Sequence, residues 1–384
     1  MTANPVFAAL GTTIFTAMSA LAVEHKAVNL GQGFPDQDGP EEIRAVAAQA
    51  LTNGPNQYPP MRGMTELRRA LSRHARDFYR LDYDPEHEVL VTSGATEALA
   101  GAIFGLVGRG DEILLIAPHY DAYRPIAEAA GAVVKTVTLE GPDWRLTDAV
   151  LSAITPGTRV VLLNTPVNPV GRVFDAGEMQ ALAAAVKKSD AMVICDEVYE
   201  HLTYDGRPHI PLATLPGMRD RCVRIGSAGK IFSLTGWKVG WVEGPRTLVD
   251  VIANVHQFLT FTTPGALQLG VAHGLAHQMD FPKALAARLQ DNRDLLARGL
   301  RGLGFDVLPA EGTYFLTARI DGITNETDRA FCERMVREGG VVAIPLSAFF
   351  PGGGPEIYVR FAFCKQRAVI EDALARLTSW LRCG

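Results

Sequence analysis

Between Glu88 and Val242 the chain repeats one pattern: a short apolar run, a breaker, then a stretch of helical spacing. No other feature constrains the fold so strongly. The apolar runs are Glu88–Thr92, Glu112–Ile116, Ala132–Thr138, Arg159–Asn164, the runs opening at Ala191 and Cys222, and Lys238–Val242. They are too short for buried helices, and their near-continuous apolarity suits strands covered on both faces. Helical periodicity over Glu97–Val107, from about Arg124 to Ala130, and over Glu178–Lys188 supplies the cover. The expected architecture is α/β, built on a mostly parallel seven-stranded sheet.

A chain of 384 residues is longer than one ordinary domain. Three parts are expected: an N-terminal segment, 1–45, packing with a small domain; a large domain, 46–280; and the small C-terminal domain itself, 281–384. The N-terminal segment is turn-rich apart from one amphipathic piece. Glu41–Leu51 and Met64–Tyr79 read as helices, separated by the breaker-rich Asn53–Gly63. Beyond Phe281 a long helix (Lys283–Leu303) leads into strand-like Phe305–Leu308 and Thr313–Arg319. A helix (Asp328–Glu338), strands at Val341–Ala343 and Ile357–Phe363, and a final helix complete an α+β texture.

Several classes of function are disfavoured. The 37 basic and 42 acidic residues nearly cancel, and no basic run interleaved with aromatics marks a nucleic-acid surface. Cys195, Cys222, Cys332, Cys364 and Cys383 are scattered and odd in number, so they read as reduced thiols and form no zinc or other metal site. No Lys or Arg precedes Lys26, so the apolar N-terminal stretch lacks the charged start of a secretory signal. No stretch has the length and apolarity of a membrane span. The chain reads as cytoplasmic, with no nucleic-acid or membrane partner.

Ligands of open α/β sheets bind beyond the carboxyl ends of the strands. The residues just past those ends are Gly94-Ala95-Thr96, Tyr120, Asn168, Asp196 with Tyr199, and Ser227 with Lys230. Gly94-Ala95-Thr96 opens a helix, whose free N–H groups suit a phosphate. Ser227 and Lys238 can add a hydroxyl and a charge to the same anion. Tyr120 can stack on a flat ring. Asp196 can pair with a ring nitrogen, Asn168 and Tyr199 can hydrogen-bond a ring oxygen, and Lys230 can form a Schiff base with an aldehyde. Taken singly, each has an ordinary structural reading as a cap, a solvated charge or a core edge. Together, in order and at strand ends, they describe the demands of pyridoxal 5′-phosphate.

The chain resembles the aspartate-aminotransferase family of fold type I pyridoxal-phosphate enzymes. It is most like the subgroup holding kynurenine (glutamine transaminase K-type) and bacterial methionine aminotransferases. The marks are Thr12-Thr13-Ile14-Phe15-Thr16, Asn29 to Asp36, Asp196-Glu197-Val198-Tyr199-Glu200, Thr235-Gly236-Trp237-Lys238 and Ala343-Ile344-Pro345-Leu346-Ser347. The resemblance implies that Lys230 bonds the cofactor and moves the proton, and that Asp196 pairs with the ring nitrogen. It places Asn168 and Tyr199 on the ring oxygen. Gly94, Ala95, Thr96, Ser227 and Lys238 would hold the phosphate, joined by Tyr58 from the partner subunit of a homodimer with shared active sites. Arg360 would clamp the substrate α-carboxylate, and Gly33 would give it room. Two positions depart from the family pattern: Val170 stands where Thr is common, and Val167 where close relatives often have His or Pro.

The implied activity is ping-pong transfer of an amino group from an amino acid to a 2-oxo acid. No second arginine for a dicarboxylate can be named, whereas Phe15, Tyr120, Ile14 and Phe261 can line an apolar pocket. Methionine, aromatic amino acids, kynurenine and glutamine are therefore the expected donors. A cysteine-S-conjugate β-lyase on the same fold is the alternative.

Overall fold

The computed structural model describes residues 3–383. Its centre is a seven-stranded sheet of β1 (Val89–Thr92), β2 (Glu112–Ala117), β3 (Val133–Thr138), β4 (Thr158–Asn164), β5 (Met192–Asp196), β6 (Cys222–Ser227) and β7 (Gly240–Glu243). The spatial order is β1-β7-β6-β5-β4-β2-β3. Pairing is parallel from β6 through β3, and β7 alone runs antiparallel, wedged between β1 and β6.

Alternate residues of these strands feed two cores. Leu90, Ile113, Leu115, Val160, Leu162, Ile194, Val223 and Val242 pack with the helices Ala95–Leu106 and Arg246–Leu259. Val91, Leu114, Val161, Leu163, Val193, Cys195 and Trp241 face the opposite layer. Both faces are therefore dry except at the edge strand β3, which is largely exposed, and that is why the other strands read as apolar runs.

A second sheet contains β8 (Asp306–Val307), β9 (Phe315–Arg319), β10 (Ile344–Pro345) and β11 (Tyr358–Ala362), in the antiparallel order β10-β11-β9-β8. The N-terminal segment joins this side: Val28–Asn29 pairs in parallel with Val341–Val342, and Ala362 N–H donates to Leu30 O. The helices Gly265–His277, Glu41–Asn53 and Thr65–Tyr79 pack together against the large sheet's flank.

Some boundaries differ from the sequence expectation. The strand expected from Lys238 starts at Gly240, because Lys238 has φ +52 and cannot extend a ladder. The strand expected from Thr313 starts at Phe315 for the same reason, with Thr313 at φ +65. The amphipathic N-terminal piece is a helix, Ile14–Glu24, whose cap Thr13 accepts from Thr16 N–H. Cys195, Cys222, Cys332 and Cys364 are buried and free, and the side chain of Cys383 lies outside the described residues. Among the described residues no helix is long and apolar enough to cross a membrane.

Beneath the sheet's carboxyl edge lies a buried ionic cluster. Arg224, on β6, donates from Nε to Glu197 (2.7 Å), from Nη1 to Glu243 (3.0 Å) and from Nη2 to Glu200 (3.0 Å). Its guanidinium also lies 4.7 Å from the Tyr79 ring centroid. Burial pushes the Glu243 carboxyl up to about 8, so at neutral pH the cation faces chiefly Glu197 and Glu200. Removing Arg224 strands these carboxylates in a dry interior. Arg224→Ala is expected to destabilise the fold by about 3–5 kcal/mol, read as a lowered urea midpoint relative to the parent chain.

Candidate active site

Strand register brings the site together. Asn164 on β4 lies opposite Asp196 on β5, and Asp196 lies opposite Ile225 on β6. Ser227 ends β6 opposite Gly240, which is also opposite Thr92 at the end of β1. Because β7 runs backwards, its leading residue Lys238 arrives at the same edge where the parallel strands end. The chain crosses from β3 over β2 to β4, so the residues after β2 and β4 flank a topological switch point.

The cleft at this edge has a volume of about 570 Å³. Gly33, Phe15, Gly94, Ala95, Thr96, Tyr120, Asn168, Asp196, Tyr199, Ser227, Lys230, Lys238 and Arg360 all line it. Tyr58 does not. It is 83% exposed and stacks edge-on against Phe261, with centroids 5.4 Å apart. Of the proposed wall residues, Phe15 and Tyr120 line the cleft, whereas Ile14 and Phe261 lie outside it.

One end of the cleft is an anion cradle. Gly94 caps the helix Ala95–Leu106 with φ +80 and offers no side-chain acceptor, which leaves first-turn N–H groups free. A Cβ on Gly240 would lie 2.5 Å from Gly94 C and 2.6 Å from Ala95 N, so only glycine lets β7 pass so close behind the turn. A Cβ on Gly94 would sit 3.3 Å from Lys238 Nζ, which places that ammonium beside the same turn.

In the middle, Asp196 accepts from Tyr123 Oη and more weakly from Val198 N–H (3.4 Å). Burial pushes its carboxyl pKa up, and the Tyr123 hydroxyl opposes that shift. Lys230 lies half-buried across from it. Burial, reinforced by the nearby cations Lys238 and Arg360, brings the Lys230 amine down to about 8, while Cys364 and Asp196 act against that fall. Such an amine is partly neutral near pH 7 and can serve as a nucleophile and a base.

At the other end Arg360, on β11, donates from Nη1 to Asn168 Oδ1 (3.1 Å) and from Nη2 to Gly31 O (2.7 Å). Its Nε is buried without a partner. Phe315, Phe349 and Phe15 surround the guanidinium at 3.9, 4.8 and 5.4 Å from their centroids. Burial lowers its pKa to about 10, so it remains a cation with donor capacity to spare, suited to a carboxylate. Gly33 must be glycine here: a Cβ would lie 2.4 Å from Phe315 Cζ.

The two departures from the family pattern leave Asn168 in place. Val167 and Val170 are buried, and the turn between them is closed by Gly171 N–H to Val167 O and Val167 N–H to Arg172 O, both 2.8 Å. Asn168 N–H donates to Asn164 Oδ1 (2.7 Å). Three residues that sequence reasoning missed also meet this site. Tyr123 supports Asp196, Asp121 lines the cleft beside Tyr120, and the Tyr314 hydroxyl contacts Lys230.

A parallel-core sheet with a lysine and an aspartate facing across its switch-point cleft defines an aspartate-aminotransferase-like fold. The chain belongs to the class I and II aminotransferase family, whose model matches residues 25–377, and it is an aminotransferase acting on amino acids. It is 44% identical over 379 residues to a probable N-succinyldiaminopimelate aminotransferase of Mycobacterium tuberculosis, spanning 96% of both chains. It is 39% identical over 386 residues to the methionine aminotransferase of Escherichia coli, spanning 98% of this chain and 99% of that one. The solved structure of N-succinyldiaminopimelate aminotransferase from Mycobacterium tuberculosis superposes with a TM-score of 0.96, at 43% identity over 99% of this chain and 100% of the other.

The contact behind the anion cradle is testable. Gly240→Ala must push the Gly94–Ala95 turn aside, at a cost of about 1–3 kcal/mol. A lowered thermal midpoint is expected, and an unchanged one would show that the turn tolerates the methyl.

Proposed function

We propose that this aminotransferase depends on pyridoxal 5′-phosphate and takes amino acids with uncharged side chains: methionine, aromatic amino acids, kynurenine or glutamine. The observation that carries the cofactor reading is the joint fit of the cleft: an uncapped helix turn with Lys238 at one end, Asp196 in the middle and the depressed amine of Lys230 opposite. When bound, the cofactor supplies an aldehyde for the amino group and a ring that accepts the electron pair left at Cα.

The chain's own residues then have definite tasks. Gly94, Ala95, Thr96, Ser227 and Lys238 hold the phosphate. Asp196 stabilises a protonated ring nitrogen, for which its buried carboxylate is the natural counter-charge, while Asn168 and Tyr199 address the ring oxygen. Tyr120 offers its face to the ring. Arg360 binds the substrate α-carboxylate beside Gly33. Lys230 is placed to take the Cα proton at Nζ and to hold it for return, and with the cofactor bound the reverse sequence on a 2-oxo acid would complete a ping-pong cycle.

Charge in the cleft supports an uncharged substrate side chain. Among the described residues lining it, the cations are Lys230, Lys238 and Arg360, each with a task already. Asp121 adds a carboxylate beside Tyr120, pushed up by burial, and an anionic side chain would meet it. Phe15, Phe34 and Phe315 provide apolar wall.

The same reading makes the protein a homodimer. Tyr58, Phe258 (85% exposed) and Leu259 present apolar surface around Phe261, which a second copy would cover. Tyr58 would then reach the partner's phosphate site. The division into 1–45, 46–280 and 281–384 belongs to this proposal, supported by the pairing of Val28–Asn29 with Val341–Val342. A cytoplasmic location fits the free, buried cysteines.

Two experiments test the proposal. Purified protein with added cofactor should gain an absorption band in the near-violet, and borohydride should fix the cofactor to Lys230. Lys230→Ala should lose turnover altogether, and normal transamination by that variant would sink the assignment. For substrate class, Asp121→Asn should raise kcat/KM for glutamate relative to methionine by roughly tenfold, as expected for removing one close like charge of about 1.4 kcal/mol. An unchanged ratio would remove Asp121 from the specificity argument.

A further inference from the structure

Tyr314 is buried between the two sheets with its hydroxyl in the middle of a relay. Lys230 Nζ donates to Tyr314 Oη at 2.6 Å, and Tyr314 Oη donates to the carbonyl of Gly33. A phenol has one proton. With that proton committed to Gly33 O, the oxygen can meet Lys230 only as an acceptor. From this geometry we propose that Tyr314 is the positioning residue for Lys230, holding its amine as a donor against the Gly33 loop whenever that nitrogen is not bonded to the cofactor. The inference rests on the proton-carrying role proposed for Lys230 and extends it.

The side chain is well placed to hold one position. Thr313 sits at φ +65, its N–H donates to Leu202 O (2.9 Å), and Phe363 N–H donates to Tyr314 O (2.9 Å). Tyr199 packs edge-on against the Tyr314 ring, with centroids 5.2 Å apart. Burial raises the phenol pKa well above its usual value, so the hydroxyl stays neutral and keeps its proton.

The consequence for the lysine follows from hydrogen-bond polarity. An acceptor beside Nζ stabilises the ammonium more than the amine. The other groups facing Nζ are Asp196 from β5, Tyr199 from the following segment, Lys238 ahead of β7, Arg360 from β11 and Cys364 just beyond it. Of these only Tyr199, itself a hydrogen-bonding neighbour of the Tyr314 hydroxyl, changes when the Tyr314 oxygen alone is removed. Tyr314→Phe should therefore push the Lys230 midpoint below about 8 and leave the amine free to wander from its transfer position.

The test uses the full chain without added cofactor. Lys230 is labelled with acetic anhydride across pH 6 to 10, and its modification is read by mass spectrometry. In Tyr314→Phe the labelling midpoint should fall by about one pH unit, the size expected when an ammonium loses one acceptor. In turnover assays with cofactor, kcat should drop roughly tenfold while KM, set mainly at Arg360, stays near the parent value. Coincident labelling profiles for parent and variant would overturn the proposal. Should Tyr314→Phe fail to fold, 3-fluorotyrosine at position 314 keeps the ring and hydroxyl but weakens the acceptor. It should shift the midpoint in the same direction by less, and no shift again counts against the proposal. The labelling does not involve the cofactor, so it can fail while borohydride still marks Lys230, and the reverse.

Discussion

Everything in the cleft depends on three parallel strands ending in register. Asn164, Asp196 and Ser227 lie at one edge because β4, β5 and β6 run the same way, with Asn164 opposite Asp196 and Asp196 opposite Ile225. At that edge the β5 backbone delivers two consecutive acids in opposite directions. Asp196 faces the cleft and Glu197 turns into the Arg224 cluster, as a period of two requires. A slip of one residue would exchange them, exposing Glu197 to the cleft and burying Asp196 against Arg224. The buried ion cluster thus disfavours that slip.

The antiparallel β7 is the second constraint. An all-parallel sheet would bring only strand C-termini to the edge. Reversing β7 also brings a strand start there, and with it Lys238 in a left-handed turn beside Gly94. Gly240 behind the turn allows the approach. The proposed phosphate cradle is therefore assembled from segments far apart in sequence, which only the strand order makes neighbours.

How much of this was legible follows from where the physics is local. Six of the seven strands are readable because burial on both faces makes each a nearly continuous apolar run, whereas the edge strand β3 is largely exposed. Start points were misjudged at Lys238 and Thr313, where positive φ on a non-glycine residue leaves no trace in composition. The helices Arg246–Leu259 and Gly265–His277 were passed over, although Pro245 and Pro264 stand immediately ahead of each. For the first, the spacing of Val249, Ile252, Ala253 and His256 was also signal enough. Residues past strand ends could be named, since position in the alternation predicts them. Tyr314 could not be named, because its importance lies in a contact to Lys230 across 84 positions. Phe261 was misplaced for the related reason that an aromatic residue's preference for apolar surroundings does not say which apolar surface it joins.

Backbone carbonyls explain why the N-terminal loop matters without an obvious side-chain motif. Gly31 O accepts from Arg360, Gly33 O from Tyr314 and Phe34 O from Lys365 Nζ (2.9 Å). Three carbonyls of one loop thus hold groups from β11, the segment ahead of β9 and the chain just after β11. These bonds neutralise only part of the buried positive charge. Arg360 sits among Phe15, Phe315 and Phe349 with Nε unpartnered, and burial has already lowered its pKa to about 10. The α-carboxylate proposed to bind there would satisfy a desolvated cation that the protein itself leaves short of acceptors, so binding would gain from a cost already met in folding. The carboxylates Asp196 and Asp121 also line the cleft. A second negative charge on the substrate would be driven toward them with no free cation from this chain to receive it. The balance of charge in the cleft thus supports the proposed substrate class, with one carboxylate, on Cα, and a neutral side chain.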